Sequence, residues 1–165
     1  MEMMIKVGPY GWKSRGNPWD EKGQSMVTQI FIFYDSETVY SIQIAYILDG
    51  KLQLSNIHGG KGNMFETVDI DYPSEFLTGI TGYTDGYYGK VASLTFETNQ
   101  RKFGPFGLEE GNNLTPFRIK MGTKRIFAGF HGSSDTNYLY LIGVYVKPIN
   151  PLEDTKLNIS KLSIR

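Results

Sequence analysis

The stretch of sequence that decides the fold class, residues 39–46, reads Val39-Tyr40-Ser41-Ile42-Gln43-Ile44-Ala45-Tyr46. Large apolar side chains recur at every second position, namely Tyr40, Ile42, Ile44 and Tyr46. The residues between them include the polar Ser41 and Gln43, so an extended chain would have one apolar face and one hydrated face. The stretch is therefore predicted to be a β-strand with one side on a core.

The same two-residue period recurs along the chain, in segments 91–98, 117–120 and 126–130. Segment 138–146 is nearly continuous in apolar residues, which predicts a strand that is buried on both faces. No segment combines helix caps with a helical apolar stripe. The chain is therefore predicted to be an all-β domain.

Turn signals separate these segments at intervals of about ten residues, which is typical of a sandwich, barrel or prism. The signals are Asp49-Gly50, His58-Gly59-Gly60, Asp85-Gly86, Gly104-Pro105, Gly111-Asn112 and Met121-Gly122. The sheet is expected to end near Val146, and the segment from Pro148 to Arg165 reads as an extension. It could add a strand or remain mobile.

Composition bounds the function classes. The 165 residues fit one domain, and the absence of cysteine excludes disulfides and thiolate metal sites. Lys plus Arg balance Asp plus Glu at 17 each, so the chain has no general electrostatic reason to bind nucleic acid or anionic membrane. We find no secretory leader, no apolar run of membrane-spanning length and no spaced set of metal ligands. A soluble domain with no cofactor or metal is expected.

Candidates for catalysis are weak. His131, Ser133 and Ser134 could form a nucleophile and base, but neighbours in one short segment do not normally satisfy that geometry. The glycine-rich run 59–62 opens no helix, so a hairpin turn explains it better than a phosphate loop does. We therefore expect a binding protein rather than an enzyme.

Three tyrosines, Tyr83, Tyr87 and Tyr88, fall in a glycine-rich segment that is predicted to be a loop. Exposed tyrosine rings can stack on sugar rings or anchor a protein partner. They could equally fold back over the end of a sheet. Both interpretations stay open at this point.

Four ordered segments together resemble the jacalin-related lectins of plants, over about Lys6 to Pro148. They are Lys6–Gly11 with Asn17–Asp20, Asp71–Ile80 with Gly82-Tyr83, Leu94–Asn99 with Gly104–Gly107, and Gly129–Gly132 with Leu141–Val146. The resemblance implies a β-prism of three four-stranded Greek-key sheets, spanning residues 1–148 and followed by an extension, 149–165. It also implies a cytoplasmic, mannose-type carbohydrate-binding protein that needs no metal and often forms homodimers.

The resemblance further implies a sugar site made by a glycine-rich first loop and a last hairpin that ends in an aspartate. Counting back from Ile142-Gly143 places Tyr140 at that aspartate, with Asp135 nearby but offset. A phenol cannot accept hydrogen bonds from two sugar hydroxyls as a carboxylate does. An altered site is expected, with lost monosaccharide binding and changed specificity both open. Its predicted residues are Gly16, Asp135, Asn137, Tyr138 and Tyr140, with Tyr83, Tyr87 and Tyr88 on an adjacent loop.

Further segments are similar to one subgroup, the jacalin-like proteins that restrict long-distance potyvirus movement in crucifer phloem. They are Gly50–Ser55, Gly62–Phe65 and the C-terminal extension. This similarity implies an alternative function, a protein-interaction module in plant antiviral defence that does not bind simple sugars.

Overall fold

A computed structural model describes residues 4–12, 15–22, 26–122 and 124–149 of the chain. Within these residues the chain forms thirteen β-strands and no helix. The strands are β1 (Ile5–Gly11), β2 (Asn17–Glu21), β3 (Val27–Tyr34), β4 (Val39–Leu48), β5 (Lys51–Leu54), β6 (His58–Gly59), β7 (Met64–Asp69), β8 (Leu77–Asp85), β9 (Val91–Thr98), β10 (Lys102–Gly107), β11 (Leu114–Lys120), β12 (Arg125–Ser134) and β13 (Leu139–Pro148).

The strands form three antiparallel sheets. Sheet I has the order β1-β13-β12-β2, sheet II has β5-β4-β3-β7 with β6 also paired to β4, and sheet III has β10-β9-β8-β11. Each sheet has a long hairpin at its centre and a strand on either side of it, so the three are related as the faces of a prism. The all-β prism expected from the sequence is confirmed.

The core lies between the three sheets. Each central hairpin turns one row of apolar residues inward, including Ile30 and Ile44 from sheet II, Leu94 and Phe96 from sheet III, and Phe130 from sheet I. Strand β13 is buried at nine of its ten positions, so the prediction from its continuous apolar run is correct.

One predicted turn lies inside a strand. Gly104-Pro105 belongs to β10, where the pairing with β9 shifts between Phe103 and Phe106, and Gly8-Pro9 makes the corresponding irregularity in β1. The glycine at each place has a positive φ, which the bulge requires and which glycine adopts without a steric cost. A Gly-Pro pair here bends an edge strand instead of ending it.

The glycine-rich run 59–62 is also not a hairpin turn. His58 and Gly59 form the short strand β6 on β4, whereas β7 pairs with β3 on the other side of the sheet. A Cβ on Gly59 would stand 2.0 Å from the carbonyl oxygen of Tyr40, so this close pairing demands glycine. The run crosses the end of sheet II rather than joining two paired strands.

Three short connections, residues 35–38, 86–90 and 135–138, join β3 to β4, β8 to β9 and β12 to β13. They occupy the same place in their sheets, and side chains from all three meet, as described below. We call this end of the prism the loop end.

The limits of the domain are only partly covered by the described residues. Strand β13 ends at Pro148, two residues beyond the expected end near Val146. Of the extension 149–165, predicted to add a strand or remain mobile, residues 150–165 lie outside the described residues. No helix long and apolar enough to cross a membrane occurs in the part of the chain that the structure covers.

Candidate functional site

At each of the three connections, an aspartate side chain accepts hydrogen bonds from backbone N–H groups of its own loop. Asp135 Oδ1 accepts hydrogen bonds from the N–H groups of Asn137 and Tyr138, both at 2.8 Å. Asp35 binds the N–H groups two and three residues later in the same way, at 2.8 and 3.1 Å. Asp85 does so at 2.7 and 3.2 Å. Each carboxylate thereby fixes the backbone of a tight turn.

Two of the three aspartates also bind a tyrosine five residues later. The hydroxyl of Tyr140 donates to Asp135 Oδ2 at 2.8 Å, and that of Tyr40 donates to Asp35 Oδ2 at 2.6 Å. Both oxygens of each carboxylate are therefore engaged within its own loop. The connection 86–90 is one residue longer than the other two. Lys90 stands five residues after Asp85, where the other two loops have a tyrosine.

These contacts set the charge state of the groups. Partial burial by itself would raise the pKa of Asp135, but hydrogen bonds from Asn137, Tyr140 and Tyr138 outweigh it and hold the pKa below its ordinary value. Burial and the bond to Asp135 raise the pKa of Tyr140. The bond to Asp35, with burial, raises the pKa of Tyr40 to about 12. Near neutral pH the loops therefore hold ionised carboxylates and neutral phenols.

Gly16 lies against the last of the three loops. Its φ is +75°, and a Cβ would stand 2.9 Å from the backbone nitrogen of Ser134 and from the ring of Tyr140. Only glycine fits there without strain. The neighbouring carbonyl of Arg15 accepts a 2.8 Å hydrogen bond from Ser133 Oγ, which ties the first loop to β12. Arg15 and Gly16 of the first loop border a groove of about 310 Å³ together with Ser133 of β12.

Aromatic rings and cations cover the space between the loops. Tyr138 stacks on Tyr40, with ring centroids 5.6 Å apart and planes 22° from parallel. Lys90 Nζ lies 4.4 Å from the Tyr138 ring centre and 5.0 Å from that of Tyr88. Trp12 remains 45% exposed and packs so closely on Gly89 that a Cβ there would meet its ring at 2.3 Å. The loop end thus offers ring faces and the ammonium group of Lys90 to a ligand.

Most of the residues predicted for the site lie together at this end. Gly16, Asp135, Tyr138 and Tyr140 are in contact through the interactions above, although Tyr140 is a buried strand residue with its hydroxyl engaged. The exposed Asn137 has its carbonyl oxygen 2.5 Å from the place of a Cβ on Gly60.

The predicted tyrosine loop divides into two parts. Tyr87 and Tyr88 lie in the connection 86–90, are 69% and 56% exposed and meet edge to face. Tyr83 is instead a residue of strand β8 and lines a separate groove on the outer face of sheet III. The prediction that all three share one loop is wrong, because the strand continues past Tyr83 to Asp85.

Sequence reasoning missed Trp12, Tyr40 and Lys90. A signal for Tyr40 was present, since an aspartate followed five residues later by tyrosine occurs at residues 35–40 and again at 135–140. Recognising that internal repeat would also have shown Asp135 and Tyr140 as partners. Trp12 and Lys90 depend on contacts between distant segments and leave no local pattern.

The serine and histidine candidates for catalysis have other partners. His131 is buried and its Nε2 lies 3.0 Å from the carbonyl oxygen of Val7, while Ser133 Oγ binds Arg15. Burial lowers the pKa of His131 despite the bond to Val7. Among the described residues, no three His, Asp or Glu side chains come together as a metal site would need. The groups that the loop end exposes to a ligand are aromatic rings and the ammonium group of Lys90.

Comparison with known protein families gives one match over most of the chain. Residues 7–145 match the Jacalin-like lectin domain. The Arabidopsis thaliana Protein RESTRICTED TEV MOVEMENT 1 is 38% identical over 153 residues, covering 87% of both chains. Jacalin-related lectin 2 of Arabidopsis thaliana is 37% identical over 163 residues, covering 90% of this chain and 89% of that protein.

Solved structures of lectins resemble this chain over most of its length. Wild-type Malaysian banana lectin superimposes with a TM-score of 0.77 and is 30% identical, covering 88% of this chain and 99% of that chain. A mannose-binding jacalin-related lectin from Ananas comosus also gives 0.77, at 31% identity and with 88% and 98% coverage. The similarity therefore extends over the whole prism.

Proposed function

This chain belongs to the family of jacalin-like lectin domains, and we propose from that premise that it binds carbohydrate at the loop end of the prism, through a site altered from the mannose type. Mannose-type ligands are the starting point of this proposal because related structures include a mannose-binding lectin from Ananas comosus and artocarpin with mannopentose. Binding rather than catalysis is proposed because the loop end offers hydrogen-bond donors and ring faces.

One observation carries the proposal of an altered site. Both carboxylate oxygens of Asp135 already accept hydrogen bonds, from Asn137 and Tyr138 on one side and from Tyr140 on the other. A sugar hydroxyl would have to share or displace them. The loop needs these bonds to keep its shape, so Asp135 is a poor acceptor for a ligand. The rings of Tyr87, Tyr88 and Trp12 and the ammonium group of Lys90 are the groups left for recognition.

A glycan array at neutral pH tests this function. The full chain is compared with the mannose-binding lectin from Ananas comosus as a positive control. We expect the chain to bind oligosaccharides but to give weaker signals on single mannose units than the control. An array with no signal for this chain, under conditions in which the control binds, would refute carbohydrate binding.

A second candidate function is a protein-interaction module acting in antiviral defence. Its first support is the relative named RESTRICTED TEV MOVEMENT 1. Its second is an exposed apolar patch on the outer face of sheet II, since a solvated sheet face is normally polar. Among the described residues, the exposed large apolar side chains without a polar ring group are Ile5 and, in the region of sheet II, Leu52, Leu54, Ile57, Met64 and Phe65.

We propose that a second copy of the chain covers this face, giving a homodimer. Phe65 packs on Phe31 and Phe33 at one side of the face, while Leu52 and Leu54 lie on β5 at the other. Four strands about 4.8 Å apart, with β3 about 27 Å long, give about 500 Å² per copy. A dimer would bury about 1,000 Å², the lower bound for a specific interface.

Sedimentation of the full chain and of Phe65→Lys tests the dimer. A dimer that becomes monomeric in the variant supports the self-association surface. The control is Thr115→Lys, at an exposed strand residue of sheet III, which should leave the dimer intact. A monomeric parent would exclude a second copy as the occupant.

We further propose cytoplasmic residence, supported by the absence of cysteine, which suits a reducing compartment.

A further inference from the structure

We propose that the outer face of sheet III is a second carbohydrate site, which binds a neutral linear oligosaccharide along a groove that is separate from the loop end. The groove has a volume of about 530 Å³ and is continuous with a smaller one of about 200 Å³ through shared lining residues. This volume is within the range of about 300–1,000 Å³ usual for ligand sites. The inference rests on the proposed carbohydrate-binding function.

The groove exists because the residues at the centre of this face are small. Strand pairing puts Thr81 and Thr95 opposite each other in the middle of sheet III. At the positions related by the threefold repetition, sheet I has the buried His131, and sheet II has Phe31 packed on Phe65. Rings therefore cover the other two faces, whereas two threonines leave this one open.

The floor of the groove carries hydroxyl groups that no protein group uses. Thr81, Ser93 and Thr95 line the groove, and none of their hydroxyls hydrogen-bonds another of the described residues. A hydroxyl donates one hydrogen bond and accepts others, which matches the hydroxyls of a sugar. The backbone groups beneath are held in the sheet ladder, so an extended peptide would find no free strand edge in the floor.

One end of the groove has an apolar wall. Tyr83 is 37% exposed and pairs with Pro116 across β8 and β11, so the two side chains stand together on the outer face. Tyrosine and proline surfaces pack well against the C–H faces of sugar rings. Hydroxyls beside an aromatic wall are the combination that orients a sugar ring on a protein.

The rim charges favour a neutral ligand. Glu109 and Glu110 line one part of the rim and Arg118 another, and none of the three forms an ion pair within the described residues. Beyond Arg118 the smaller groove is closed by the ion pair of Lys120 with Glu97, at 2.8 Å. The two glutamates would repel a phosphate backbone, which disfavours nucleic acid. Unpaired carboxylates and a guanidinium can instead bind sugar hydroxyls from the sides.

The experiment titrates the full chain with neutral linear oligosaccharides found on the array, and compares it with the double variant Thr81→Val/Thr95→Val. Valine keeps the shape of threonine and suits a strand, so the variant is expected to fold. The control is Thr67→Val/Thr115→Val, two exposed strand threonines outside this groove's floor. We expect at least one oligosaccharide to lose about tenfold or more in affinity in the groove variant and to be unaffected in the control.

Amide chemical shifts in the titration locate the ligand. Shifts in β8 and β9 around Thr81 and Thr95 support the groove. Oligosaccharides that bind equally to the parent and the groove variant, with shifts confined to residues 135–140, would overturn the second site and leave the loop-end function intact. A parent that binds none of the oligosaccharides would overturn both.

Discussion

The hydroxyl of Tyr140 donates a 2.8 Å hydrogen bond to the Oδ2 atom of Asp135, and Tyr40 repeats this bond to Asp35 in the first of the symmetry-related loops. Because the same aspartate–tyrosine hydrogen bond occurs in two loops, we infer that the tyrosine stabilises the conformation of its loop. The same contact withdraws the carboxylate from a ligand. Stability and ligand recognition are therefore linked at this position.

Replacing Tyr140 by phenylalanine should lower the free energy of unfolding by about 1–2 kcal/mol, because Asp135 loses a hydrogen bond to its charged form. Urea denaturation measures the change. Tyr40→Phe should behave alike, whereas Tyr46→Phe serves as a control, because its hydroxyl has no partner among the described residues. Equal stability of Tyr140→Phe and the parent would contradict a structural role for this bond.

The buried carboxylate of Glu75 stabilises two connections that lie away from the loop end. Glu75 is fully buried and accepts hydrogen bonds from Arg101 Nε at 2.9 Å, Thr98 Oγ1 at 2.6 Å and the N–H of Asp71 at 2.9 Å. Burial would raise its pKa, but these donors hold the pKa below the ordinary value. The ionised group thus closes the connection between β7 and β8 onto the β9–β10 turn.

Glu75→Gln should therefore destabilise the domain by about 2–4 kcal/mol, since the fully buried side chain loses the charge that its donors bind and its amide N–H is left facing another donor, although Arg101 itself is half exposed. The matched control is Glu97→Gln, whose carboxylate forms more exposed pairs with Lys102 and Lys120 and should cost less than about 1 kcal/mol. Thermal or urea unfolding compares the two. Similar losses in both variants would show that burial of Glu75 is unimportant.

Protonation of His131 at acidic pH should lower the free energy of unfolding. Burial lowers its pKa in the folded state below the ordinary value of 6.5, although the carbonyl of Val7 and the carboxylate of Asp20 oppose the shift and Lys6 adds to it. The unfolded chain therefore binds a proton first as the pH falls. The contribution of His131 is fully present above about pH 6.5 and declines below it, by at most about 1.4 kcal/mol per pH unit, until the folded pKa is reached.

The measurement is the free energy of unfolding from pH 7.5 to pH 5, for the parent and for His131→Gln. The difference between the two proteins should shrink as the pH falls, because the variant lacks the titrating group. A difference that is constant over this range would argue against a neutral, buried His131.

Metal removal should leave the domain unchanged, as the sequence offers no spaced ligand set. Dialysis against a chelator is expected to leave the melting temperature as it was. A marked fall that added calcium or another divalent ion reverses would disprove this expectation.

The sequence predicts the prism well and the site only in part. Alternation in 39–46 and 91–98 and the buried segment 138–146 indicate the central strands, because each has a core-facing row that period and burial determine. Gly104-Pro105 was misinterpreted because Gly-Pro serves both turns and edge bulges. Only strand pairing distinguishes them.

At the site, a resemblance in sequence placed Tyr140 at the position of an aspartate, but not its bond to Asp135. Neither residue indicates this bond by itself; only the recurrence of an aspartate followed five residues later by a tyrosine, at 35–40 and at 135–140, does so. Lys90 lying over the ring of Tyr138 joins segments almost fifty residues apart, which no local pattern predicts.

Titration calorimetry with methyl-mannoside tests the central claim most directly, that Asp135 is withdrawn from the ligand by its own loop. The parent is compared with Tyr140→Asp and Asp135→Asn, and with the mannose-binding lectin from Ananas comosus. The parent should bind methyl-mannoside about tenfold or more weakly than that lectin, and Tyr140→Asp should bind more tightly than the parent. Binding by the parent as tight as that of the control, and unchanged in both variants, would contradict the account.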